Sequence, residues 1–305
     1  MRKLIRRVYR QKGARRANQI SPGEELRIIV KRHRRTLKTL PPDIELWLAL
    51  FDEAAAFWFA VWGVYREQVE GPDDKRLICL MALAGRVLQD IFCVRELISG
   101  GFFVQSNVVS RSLIESIDVM HLLSGRPELA NEFHEIKGNV EASQFWHRHC
   151  SRDKIHRLIK QRWLWFFNSD EEIASSFHSM RKNYMDLVGM SAHPSFDASL
   201  STFMDSAQNE SSNIATNAMG AISHMSKFTM HLVLLRIFEY GLLWSGPEAS
   251  LYKSEKMSRR KSPLDDNISK GLSAMLSAIK MLGEQRDGDP FYPEFKTYWP
   301  RSYFT

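Results

Sequence analysis

The chain has 305 residues, 44% hydrophobic and 25% charged, a globular balance that excludes a fibrous or wholly disordered polypeptide. Its formal charge of +7 is unevenly placed: residues 1–38 hold 14 Lys/Arg against Glu24 and Glu25, a net of +12. The remaining residues carry 28 basic and 33 acidic groups, so the bulk of the protein is mildly acidic.

Residues 1–40 form the first unit, a basic arm followed by a basic helix. Arg6, Arg7, Arg10, Arg15, Arg16, Arg32, Arg34 and Arg35 are its densest cations. Such an arm attracts polyanions through counterion release and long-range attraction; RNA, DNA and an anionic lipid surface all meet that description. A solubilising arm, or one that neutralises the protein's own acidic face, has the same composition. The Arg-rich start resembles a mitochondrial presequence, but Leu4, Ile5, Val8 and Tyr9 are too few for an apolar face, and no secretory apolar run follows. Ser21-Pro22-Gly23-Glu24 reads as a capping box opening a helix to about Lys38.

Residues 41–245 read as a helical core. Asp43 caps a segment rich in Trp and Phe that stops at Gly71-Pro72. Asp73 or Asp74 starts the next, ended by Gly100-Gly101, and a third runs from about Phe103 to Leu123. A continuous helix is expected from about Pro127 to Cys150, then another from Asp153 to about Phe167. Ser169-Asp170-Glu171-Glu172 is a second capping box, predicting a helix to about Val188. Residues 189–212 are polar and break the pattern. After Asn213, Ile214, Ala218, Ile222, Met225, Phe228, Leu232, Leu235 and Phe238 recur at helical spacing as a core stripe. None of these stretches reads as a good membrane span, because the apolar runs are short or interrupted by charge.

Residues 246–305 form a basic connector, a short helix and a tail. The tail sets Phe291, Tyr292, Phe295, Tyr298, Trp299, Tyr303 and Phe304 among prolines. It cannot be regular helix or strand, and its rings suit docking onto the protein itself, a homodimer mate or another protein partner. The fold class expected is all-α: a multi-helix bundle with a basic N-terminal arm and an irregular aromatic C-terminal tail. Cys79, Cys93 and Cys150 make no disulfide framework, and Cys79 and Cys93 lie roughly 20 Å apart on one helix. A reducing, cytoplasmic setting is the expectation.

Two polar islands stand in these apolar surroundings. Arg111, Glu115 and Asp118 fall at i, i+4 and i+7 of an otherwise apolar helix, sharing one face. A charged row there is either a salt bridge stabilising the bundle or the lining of a cleft, with Arg111 binding an anion and Glu115 orienting it or taking a proton. Ser191-Ala192-His193-Pro194-Ser195 is the second island. His193 there serves as a base, a phosphate contact, a helix cap or a plain turn residue.

Arg111-Ser112-Leu113-Ile114-Glu115, followed by Tyr184-x-x-Leu187 and His193-Pro194-Ser195, resembles a bacterial family catalogued as domain of unknown function 5677. The resemblance covers roughly residues 45–245. That family in turn resembles the HEPN superfamily of helical, often dimeric RNA-cleaving domains of conflict and phage-defence systems. It implies a bundle fold and a defence, toxin or stress role. The superfamily's Arg-x(4–6)-His signature occurs here only as Arg27…His33, inside the basic arm.

His147, His149 and Cys150 have the chemistry of metal ligands, but i and i+2 on a helix point nearly opposite ways, so neither a metal nor a cofactor is expected. Trp163, Trp165, Phe166 and Phe167 beside Lys160 and Arg162 fit either base stacking or core packing. Two functions remain. One is a non-catalytic module holding RNA or DNA on its arm; the other is a ribonuclease or toxin acting through Arg111, Glu115 and His193.

Overall fold

The computed structural model describes residue 31 and residues 42–166, 171–192 and 224–245. The arginines of the basic arm, His193-Pro194-Ser195, the connector and the aromatic tail lie outside the described residues. The described residues form helices and no strand, so the all-α bundle is the fold.

Helix α1 spans Pro42–Gln68 and α2 spans Lys75–Ser99, with the Asp74 carboxylate capping α2 by accepting from the Leu77 N–H at 3.2 Å. They run antiparallel. Trp58 Nε1–H donates to the Ala84 carbonyl at 2.8 Å, and Arg95 grips Asp52 with both Nε and Nη2 at 2.6 and 3.0 Å. A tight link turns α2 into α3 (Phe103–Gly125), and Gly101 at its centre has φ 77°, a left-handed conformation that favours glycine. By length and composition alone α2 also qualifies as a membrane span. In this fold it is a core helix flanked by α1 and α3, with Leu80, Ala84, Val87, Ile91 and Val94 buried.

The long helix expected from Pro127 to Cys150 is broken in three. Helix α4 covers Leu129–His134, α5 covers Asn139–Phe145, and Trp146–Cys150 forms one π-helical turn. Gly138 stands extended between the first two, and Glu141 Oε2 accepts from the Lys137 N–H at 2.7 Å to start α5. Helix α6 (Arg152–Phe166) then rises along α3, and α7 (Glu171–Ala192) returns antiparallel to it, tied by Lys160–Glu171 at 3.2 Å and an edge-on His156–His178 ring pair. Helix α7 runs four residues further than its sequence suggests, taking in Ser191 and Ala192.

Helix α8 (His224–Ser245) is the centre of the bundle. Every residue from Thr229 to Gly241 is buried, so the single stripe expected there is in fact a helix enclosed on all sides. Tyr240 packs on Trp58 and His121 at ring separations of 5.0 Å, and its hydroxyl meets that of Tyr65 at 2.5 Å. All three cysteines are free: Cys79 and Cys150 are buried, and burial pushes their thiols up to about 11 and about 12, whereas Cys93 is exposed.

The two link glycines separate conformation from space. Gly101→Ala should cost about 1 kcal/mol through its left-handed backbone, while Gly71→Ala, with nothing near its added methyl, should be neutral or slightly stabilising. Urea midpoints of the two variants check this, and equal midpoints would contradict it.

Candidate functional site

The predicted charged row on α3 divides in two. Arg111 Nε donates to Glu115 Oε1 at 2.9 Å, one turn along the same helix, and the two side chains remain 35% and 31% exposed. Such a pair stabilises a helix by about 0.3–0.5 kcal/mol, far below what a buried charge needs. Asp118 departs from the row: it is 2% exposed and pairs with Arg181 of α7. The reason is helix packing: α7 closes over α3 at Asp118, where Arg181 meets it, and leaves Arg111 and Glu115 partly exposed.

Beside Arg111 lies a small polar relay between α2 and α3. Ser112 Oγ accepts from Arg86 Nη2 at 2.9 Å and donates to Asp90 Oδ2 at 3.1 Å. Partial burial raises the Asp90 carboxyl above its usual range, against the opposing pull of Ser112 and Arg86. Cys150, from the π-helical turn, lies close enough to Glu115 for that carboxylate to add to the burial that holds its thiol protonated. This is a polar rim beside a protonated thiol, and it brings Arg111 and Glu115 together. His193 follows directly on the end of α7 and is outside the described residues.

The dominant polar feature is one that motif reading missed. Glu239 Oε2 accepts from Arg181 Nη1 at 2.8 Å and from Arg236 Nη1 at 2.6 Å, while Glu239 Oε1 accepts from Trp163 Nε1 at 2.9 Å. Arg181 Nη2 also holds Asp118, so α3, α6, α7 and α8 meet at one knot with every charged member at most 5% exposed. Burial pushes the Glu239 carboxyl up, yet Arg236 and Arg181 outweigh it and hold the group at about 2. One turn away, Arg162 Nη2 donates to the His121 carbonyl at 2.7 Å and Nη1 meets His121 Nδ1 at 3.2 Å. Burial, reinforced by Arg162, lowers His121 to about 3, so its ring is neutral. Gly125 lets the Arg162 guanidinium lie close against the α3 backbone: a Cβ there would force that group to shift. The signal was present in sequence, since Arg236 and Glu239 stand three apart inside the most apolar run of α8.

Other expectations resolve simply. Trp163 is core, 1% exposed, rather than a platform for a base. His149 Nε2 and Arg148 Nη1 both engage Glu132, at 3.1 and 2.9 Å, and among the described residues no trio of His, Cys, Asp or Glu is placed to hold a metal ion.

Acid should loosen this knot in a defined order. His121 sits below its ordinary 6.5 and Glu239 below its ordinary 4.5, so the unfolded chain binds more protons than the folded one once pH falls under 6.5. Stability is therefore complete above pH 6.5; the His121 part is lost from there towards 3, and the Glu239 part from 4.5 towards 2. Urea unfolding of His121→Gln across pH 4.5–6.5 should show a shallower decline than wild type, and parallel curves would contradict the assignment.

Comparison with protein-family models, with curated proteins and with solved structures found no match, so a role rests on geometry and charge layout.

Proposed function

We propose that this protein is a non-catalytic binding module that holds RNA or DNA on its basic N-terminal arm, with the helical bundle as a rigid acidic base. The observation that carries the reading is the charge division: +12 in residues 1–38 against a mildly acidic remainder. Within the bundle, cations at the knot, between α1 and α2 and on the α3 rim contact carboxylates: Arg181 with Asp118 and Glu239, Arg95 with Asp52, Arg111 with Glu115. Residues 1–38 hold only Glu24 and Glu25 against 14 Lys/Arg, an excess of positive charge suited to phosphates. The resemblance of the α3 and α7 motifs to the helical defence-associated family supports a bacterial defence or stress setting, in the cytoplasm, with a homodimer or other protein partner and no membrane span.

The catalytic alternative draws on one geometric observation. Helix α6 rises with α3, since Arg162 meets His121 while Cys150 lies by Glu115, and α7 runs back against α6. The end of α7 at Ala192 therefore points toward the half of α3 that carries Arg111. A ribonuclease or toxin would use Arg111 for phosphate charge, Glu115 to orient it, and His193 as the base.

Deleting residues 1–19 removes eight Lys/Arg. Affinity for a labelled RNA or DNA oligomer should fall by about tenfold or more, and the slope of log affinity against log salt should flatten. Unchanged affinity sinks the arm reading. In the same incubations intact RNA is expected with wild type; cleavage that His193→Ala abolishes would instead establish the catalytic reading.

A further inference from the structure

The Arg236 guanidinium is only half used. Its Nη1 is held by Glu239 at 2.6 Å, but among the described residues Nε and Nη2 have no hydrogen-bond partner, although the residue is 2% exposed. Those two nitrogens form one edge of the planar group, the edge on which a carboxylate or phosphate sits with two parallel N–H···O bonds. Leaving such donors buried and unmet is costly, more so on a charged group.

Among the described residues, the carboxylates of the knot are engaged elsewhere. Glu239 already receives Arg181 and Arg236 on Oε2 and Trp163 on Oε1. Asp118 is committed to Arg181 Nη2. A second orphan donor among the described residues, Arg181 Nε, belongs to the same knot. Glu239 fixes the plane of Arg236 through Nη1, so the edge is preorganised and needs no side-chain ordering on binding.

We propose that the knot at the centre of the bundle is a binding site for a small oxyanion, gripped side-on by Arg236 Nε and Nη2. The ligand class is a group presenting two oxygens at carboxylate or phosphate spacing. The site uses neither Arg111 nor Glu115 of the α3 rim. Because Arg236 is enclosed, the anion enters by local opening around α8, and exchange is slow compared with a surface site.

The test titrates full-length protein at constant ionic strength with inorganic phosphate and, separately, with acetate, using chloride as the control. Calorimetry follows wild type and Arg236→Lys, which keeps the charge and a donor for Glu239 but lacks the two-pronged edge. Saturable binding of one anion per chain by wild type is expected, weakened about tenfold or more in Arg236→Lys. Phosphate-only binding assigns the site to phosphate-bearing ligands, and acetate binding assigns it to carboxylates. If Arg236→Lys does not fold, wild-type arginine Nε–H resonances decide: a buried, slowly exchanging signal shifts as the anion saturates. No saturable binding of either anion, equal binding by Arg236→Lys, or arginine signals that ignore the anion overturns the proposal.

Discussion

The bundle depends on one buried carboxylate. Glu239 lies in the most enclosed helix of the protein, where an unpaired charge would be intolerable, and it is kept ionised by two guanidinium groups drawn from α7 and from its own helix. Each partner is then committed: Arg181 extends to Asp118 on α3, and Trp163 on α6 supplies the remaining donor. Four helices are thereby fixed in mutual register by groups that an oily interface could not distinguish. Removing one member of such a set costs about 3–5 kcal/mol, because the others stay buried without their counter-charge.

Around this knot the apolar packing is ordinary, with Trp58, Phe51, Tyr65 and Ile91 fully enclosed. The knot specifies which way the helices face, and the packing supplies the bulk of the driving force. That division explains the contrast along α3. Its C-terminal half, against α7 and α8, holds buried Asp118 and His121, whereas Arg111 and Glu115 nearer its middle are about one-third exposed, where a charged pair is nearly neutral energetically.

Much of this was legible in sequence where a local signal exists. Asp74 and the Gly100-Gly101 pair mark helix ends correctly because caps and left-handed turns act within a few residues. The region from Pro127 to Cys150 reads as one helix and is not, since its periodicity survives across the extended Gly138 and the π-helical turn. Of the candidate site, the Arg111–Glu115 pair is readable from its spacing. Asp118 falls in the same row by sequence, because helical phase reports direction and not depth. The knot escapes altogether: Asp118, Arg181 and Glu239 are joined across 63 and 58 residues of chain, and no motif spans such distances.

The order of synthesis gives the position of Glu239 a further meaning. It leaves the ribosome after every other helix of the knot, 121 residues behind Asp118, a delay on the order of ten seconds during translation. From the emergence of Arg181 until Glu239 follows 58 residues later, Arg181 lacks one of its two carboxylate partners. Closure of the knot therefore awaits the last of its four helices to be made.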